Sequence, residues 1–207
     1  MEQSVVKYYV LCNKLKNTIR TGWKDWKVKK ERLESVAEHI YGVQMLAIAM
    51  YSQYNYKLDL NKILLMLAIH ELEEIIIGDL TCFQISEEEK AKIGHKAVEE
   101  VLSGILIKDE LNNLIKEFDD RKTEEAIFAY HCDKLECDIQ CKLYDEENLV
   151  DVNEQDDNNI YYNAKVKELL QSGESWSSMW LEFDREKFID DENFIKVLNY
   201  VKNNKIS

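Results

Sequence analysis

Two of the four histidines stand beside an acid, as Glu38-His39 and His70-Glu71. The second pair ends the apolar run Ile63-Leu64-Leu65-Met66-Leu67-Ala68-Ile69, and Glu73, Glu74 and Asp79 follow it closely. Charge placed after such a run is expensive to bury unless something pairs with it. A divalent metal in a helical bundle takes nitrogen and oxygen donors from several helices at once. His39, His70, Glu71 and Asp133 would supply two imidazoles and two carboxylates from three predicted helices. This mixed set suits one divalent ion, with Mn, Co, Fe, Zn and Mg all compatible. Glu74 lies four residues after His70, one helical turn on, and Asp79 follows the break at Gly78. Acids beside a metal-activated water are candidates for general acid or base work. Glu73 points elsewhere on a helix and reads as a solvated or structural acid.

Two other groupings are weaker. His131, Cys132, Cys137 and Cys141 fall within "HCDKLECDIQC", but the segment is helical in pattern and lacks the C-x₂₋₄-C knuckle of a zinc site. Small buried cysteines account for it more simply. His95 follows Gly94 on an acidic amphipathic stretch and is expected to face solvent.

The elements that must hold these groups are helical. There is no proline, there are only six glycines, and apolar residues recur at i, i+3, i+4 rather than alternating. The expected fold class is all-α, in one domain over residues 1–207. An amphipathic helix is expected over residues 2–18, then an ordered loop through "RTGWKDWKVKKERLE", where Trp23 and Trp26 pack inward or line a pocket. Ser35 with Glu38 has capping-box spacing and opens a second helix carrying His39. A third helix, apolar on nearly all sides, is expected over 59–77 and interrupted at Gly78. Ser86 caps a fourth, with acids in its first turn. Further helices are expected over about 107–118 and 123–146. Residues 147–158 read as an acidic surface loop, and a C-terminal extension over about 159–207 as two or three helices docked by Trp176 and Trp180.

Charge and cysteine content narrow the partners. The formal net charge is −13, which disfavours long nucleic acids. The first 32 residues run the other way, with nine Lys or Arg against three acids, and could receive a small anion such as a phosphate. No apolar run approaches membrane-spanning length, no leader pattern opens the chain, and the cysteine count is odd. A reduced, cytoplasmic compartment is therefore expected.

Five segments in register carry a family resemblance: "LKNTIRTGW", "ESVAEH", "HELEEIIIGDLT", "EEKAKIGHKAVEEV" and "DKLE". Over roughly residues 10–145 the chain resembles the HD-domain metal-dependent phosphohydrolases, and among them the small 5′-deoxynucleotidase group. The resemblance implies an HD-domain-like helical bundle, with the extension beyond it, that removes the 5′-phosphate of (deoxy)nucleoside monophosphates. It implies His39, His70, the residue at position 71 and Asp133 as metal ligands, Glu74 as catalytic acid and Asp79 as a second essential acid. It implies that Arg20 and Trp23 line the nucleotide pocket, the indole crowding the sugar 2′ position and so favouring deoxyribose. It also implies a homodimer. At position 71 the chain departs from the family, which has Asp where this sequence has the longer Glu71. The alternative this departure raises is an HD-fold metal- or nucleotide-binding protein with altered catalysis.

Overall fold

Residues 1–207 are described by a computed structural model, and every regular element in it is helical apart from one isolated bridge between Ile19 and Ser35. The α-helices are α1 (Glu2–Cys12), α2 (Thr21–Asp25), α3 (Val36–Gln53), α4 (Leu60–Ile69), α5 (Glu74–Ile77), α6 (Glu87–Val101), α7 (Lys108–Asp120), α8 (Glu124–Glu146), α9 (Ala164–Gln171), α10 (Trp176–Asp184) and α11 (Glu192–Asn203). The chain forms two compact units, Met1–Thr21 with Glu34–Tyr130 and Gly22–Leu33 with His131–Ser207. Helix α8 runs unbroken through the division.

In the first unit α4 packs on α3 and α7, and α6 packs on α5 and α7. Its core is built from Val36, Val43 and Ala47 of α3, Ile63, Met66 and Leu67 of α4, and Leu111, Ile115 and Phe118 of α7. The expected capping box is present: Ser35 accepts from the Glu38 N–H, and the Glu38 carboxylate accepts from the Ser35 N–H at 3.0 Å. That reciprocal cap fixes where α3 starts, and hence where His39 lies one turn in. Ser86 caps α6 through its side chain, which accepts from the Glu89 N–H. The expected helix over 2–18 is shorter. It ends at Cys12 and tightens into a 3₁₀ turn over Asn13–Lys16, and no residue of α1 is buried.

The second unit is organised by aromatic rings. Trp26 and Trp176 are buried, with centroids 5.7 Å apart, and Trp180 stands 6.1 Å from Trp26. The tail is thus anchored on the 22–33 segment through the two expected tryptophans. Residues 147–158 contain turns and no helix. Cys132 and Cys141 are buried on α8, where burial pushes both thiols well above their usual range. Such thiols behave as small core residues rather than thiolate ligands.

One buried acid in this unit affects stability. Asp138 of α8 is enclosed, and its Oδ2 has no hydrogen-bond partner. Burial, and then the Asp184 carboxylate, raise its pKa well above the ordinary value, against the opposing Lys187 and Lys134. The folded chain therefore holds this proton more tightly than the unfolded chain. Its contribution is intact below the ordinary carboxylate pKa and is lost as pH rises toward the folded value. Asp138→Asn cannot ionise, so its melting temperature should exceed that of the wild type by several degrees at pH 8, on a scale of about 2–4 °C per kcal/mol. The two proteins should converge near pH 4. Equal melting curves at every pH would refute this reading of Asp138.

Candidate metal centre

The expected continuous helix over 59–77 is broken at the residues that matter. Helix α4 stops at Ile69, residues 70–73 form turns, and α5 begins at Glu74. The Leu72 N–H donates to the Ile69 carbonyl at 3.1 Å and the Glu74 N–H to the Glu71 carbonyl at 3.2 Å, so the backbone tightens to three-residue turns. The latter bond ties Glu74 directly to Glu71. Gly78 then closes α5 with φ +78°, a conformation that strains an L side chain.

His39 and His70 face each other with ring centroids 5.6 Å apart, and both are buried. Glu71 Oε1 lies 3.8 Å from His39 Nε2 and 3.6 Å from His70 Nε2. The donor atoms of these three residues all lie within 4.8 Å of one another. The His70 tautomer is fixed by its other nitrogen. Nδ1 sits 2.8 Å from the Leu67 carbonyl oxygen, which can only accept, so Nδ1 carries the proton. Nε2 is the nitrogen turned to the Glu71 side. Backbone orientation of this kind is the usual support for a metal-binding imidazole. Two buried imidazoles and a buried carboxylate fit a divalent ion.

Around this core lie the other expected groups of the first unit. Arg20 Nη1 is 3.5 Å from Glu71 Oε1 and 3.7 Å from Asp79 Oδ1, and the arginine is largely buried. Asp79 also accepts from the Thr21 N–H at 2.5 Å, while the Thr21 hydroxyl donates to the Asp79 carbonyl at 2.7 Å. Asp79 therefore clamps the segment that presents Arg20. Glu74 is buried, and its Oε2 has no hydrogen-bond partner. Burial first, then Glu71 and Asp79, raise its pKa well above the usual carboxylate range. Glu73 is not a simple solvated acid: its Oε2 is enclosed, and burial with the nearby Glu71 pushes its pKa up to about 8. His95 is half-buried, with Nε2 2.7 Å from Asp119 Oδ2.

Asp133 and Trp23 fall in the second unit. Asp133 is buried on α8, just past Tyr130, with its carboxylate 2.9 Å from Lys134 Nζ. Trp23 is 7% exposed on α2 and packs edge-on against Tyr144 and Trp176, with centroids at 5.3 and 6.2 Å. Most of the indole is thus structural.

Lys90 was not expected here. Its Nζ lies 3.2 Å from Glu74 Oε1, and although burial opposes its charge, Glu71, Glu74 and Glu73 together raise its pKa. The sequence held a signal: Lys90 is in register with Gly94, Ala97, Val98 and Val101, the buried face of α6.

A family model described as HD domain matches residues 12–176. The chain is 32% identical over 151 residues to the 5′-deoxynucleotidase HDDC2 of Dictyostelium discoideum, covering 69% of this chain and 78% of that protein. It is 32% identical over 148 residues to the protein of the same name from Xenopus laevis, covering 70% and 71%. Among solved structures, a conserved hypothetical protein from Pyrococcus furiosus superposes with a TM-score of 0.67 at 24% identity, over 96% of this chain and 99% of that one. A protein from Magnetospirillum magnetotacticum described as a predicted metal-dependent phosphohydrolase superposes with a TM-score of 0.59 at 17% identity, over 96% and 93%. At these identities the two structures speak for the fold.

Proposed function

Since this chain belongs to the HD domain family, we propose that it is a metal-dependent phosphomonoesterase that removes the 5′-phosphate from nucleoside monophosphates, deoxyribonucleotides above all. The observation that carries the proposal is the meeting of two buried imidazoles with Glu71, beside the buried acid Glu74 and the guanidinium of Arg20. The names of the curated relatives support the choice of substrate.

His39, His70 and Glu71 would hold one divalent ion, and the family resemblance adds Asp133 as the fourth ligand. When bound, such an ion polarises a phosphoryl oxygen and makes water acidic enough to act as nucleophile at neutral pH. Arg20 holds the phosphate through charge-assisted hydrogen bonds, kept in place by the clamp between Asp79 and Thr21. Water adds to phosphorus and the bond to the 5′-oxygen breaks. Glu74, whose pKa is raised by burial and then by Glu71 and Asp79, would give a proton to the departing 5′-oxygen and be reprotonated from water. The family resemblance adds Trp23 as the residue that favours deoxyribose over ribose.

The altered-catalysis alternative is not favoured. Glu71 presents one oxygen to His39, His70 and Arg20 at 3.5–3.8 Å, so the longer side chain is accommodated in the cluster. Glu71→Asp would draw that oxygen back by about one C–C bond length. Its metal affinity is expected to fall by about 10-fold or more, read by equilibrium dialysis, with phosphate release falling in parallel. A rise in both would revive the alternative.

No helix is long and apolar enough to cross a membrane. The five free cysteines support a reducing compartment, and we propose the cytoplasm. We further propose a homodimer, consistent with the exposed apolar residues Val5, Val6, Tyr9 and Val10 on α1. Light scattering tests this. The reaction is tested by stripping the purified chain of metal, reloading it in turn with Mn, Co, Mg or Zn, and following phosphate release across ribo- and deoxyribonucleoside 5′-monophosphates. Turnover with at least one metal and a preference for deoxyribonucleotides are expected. No turnover with any of them would sink the enzymatic reading.

A further inference from the structure

Resting on the reading of Trp23 as the residue that favours deoxyribose, we propose that Gln155 is a positioning residue for sugar selection, fixing the turn that carries Trp23 by holding the Trp26 carbonyl. Residues 147–158 hold five acids, Glu147, Asp151, Glu154, Asp156 and Asp157, yet the only two buried positions in that stretch are amides, Gln155 and Asn158. Both donors and the acceptor of the Gln155 amide are used. Its Nε2 donates to the Trp26 carbonyl at 3.2 Å and to the Asp151 carbonyl at 2.8 Å, and its Oε1 accepts from Asn158 Nδ2 at 2.9 Å. Main-chain carbonyls only accept, so the position requires two N–H groups. A glutamate has the same shape but neither donor, and would set a carboxylate against both carbonyls. Asn158 is held in turn, its Oδ1 accepting from the Ile160 N–H at 3.0 Å.

The held carbonyl lies where the backbone is strained. Helix α2 ends at Asp25, the Trp26 N–H still donates back to the Gly22 carbonyl at 3.0 Å, and Lys27 then turns left-handed, with φ +54°. A residue with a Cβ keeps that conformation where its surroundings impose it. The 147–158 segment grips both sides of Lys27. Gln155 takes the carbonyl before it, the Leu149 carbonyl accepts from the Lys29 N–H at 2.8 Å, and the Glu154 carbonyl accepts from Lys27 Nζ at 3.0 Å. The bond from Gln155 to Trp26 is buried, where a lost partner costs more than at the exposed lysine contact. Trp23 belongs to the turn so fixed: its carbonyl accepts from the Val28 N–H at 3.0 Å, across the left-handed residue. At its other end the same stretch begins at Thr21, which Asp79 clamps. The backbone of Trp23 is thus fixed on both sides, which is what steric rejection of a single hydroxyl requires.

Sugar selectivity in the metal-loaded protein tests this. Gln155→Glu keeps the shape and removes both donors, and Gln155→Met keeps the length without charge. In each, kcat/KM for ribonucleoside 5′-monophosphates should rise relative to deoxyribonucleotides. The deoxy preference should fall about 5–10-fold, out of the roughly 100-fold that an apolar wall exerts on one added hydroxyl. The kcat for deoxyribonucleotides should stay within about threefold and metal content should match the wild type, because no reacting group is touched. Glu154→Gln, which loses an exposed ion pair with Lys29, should keep the wild-type preference. In a Trp23→Phe background, Gln155→Met should change the preference by less than about twofold, since both changes act on one contact. A lower melting temperature with the preference intact would make Gln155 a stabilising residue only and overturn the inference. So would an equal fall in Glu154→Gln, or an undiminished effect of Gln155→Met in the Trp23→Phe background. A wild type that turns over both sugars equally would overturn the reading of Trp23, and one inactive with every metal would overturn the enzyme reading; each takes this inference with it.

Discussion

Replacing His70 with alanine is expected to leave the purified protein without its metal and to reduce phosphate release on the order of 10³-fold or more, the scale set by the loss of an activated water. The Leu67 carbonyl holds Nδ1 of His70, so Nε2 is turned toward the cluster before any ligand arrives. The ring is buried, and its removal leaves Glu71 with two of its three neighbours, Arg20 and His39. The remaining donors are then too few to hold a divalent ion against exchange with buffer. Elemental analysis should show metal near one per chain in the wild type and a small fraction of that in the variant. His70→Gln, closer in size, should behave in the same way, which separates loss of a ligand from loss of packing. Stoichiometric metal in both variants would remove His70 from the ligand set.

The parts of this site that were legible in the sequence are those carried by local rules. The Ser35–Glu38 cap and the Ser86 cap follow from residue types at fixed spacing, and both stand where expected. His39, His70 and Glu71 were legible because acids and imidazoles in apolar surroundings need a common partner. The break at His70 was not legible. Nothing in "LAIHELEEIII" stops a helix, and the tightening depends on hydrogen bonds from Leu72 and Glu74 to carbonyls three residues back. The clamp between Asp79 and Thr21 joins residues 58 positions apart, a separation no periodicity reports. Lys90 sits between these cases. Its register on α6 marks it as facing inward, yet a lysine among "EEEKAK" resembles any solvated helix start. Glu73 shows the same effect with the opposite sign, an acid taken for solvated that the approach of α6 at Gly94 encloses.

Glu74→Gln should separate catalysis from metal binding. Glutamine has the shape of the neutral acid, and its amide oxygen still accepts from Lys90, so the packing of α5 on α6 is retained. What it lacks is a proton to give. The kcat should fall by about 10²–10⁴-fold, the usual contribution of a general acid, while KM moves little. Metal content should stay at the wild-type level, in contrast to His70→Ala. Stability should not fall either, because Glu74 is buried and its charged form is the one that burial penalises. The three readouts together distinguish the roles Glu74 could fill. Loss of metal with loss of rate would make it a ligand beside Glu71. A rise in KM alone would make it a substrate contact. Loss of kcat with metal, KM and melting temperature preserved leaves proton transfer as its role. Under that outcome Glu71 and Glu74, three residues apart on one tightened turn, divide the chemistry between them: the first holds the ion, and the second protonates the oxygen that leaves.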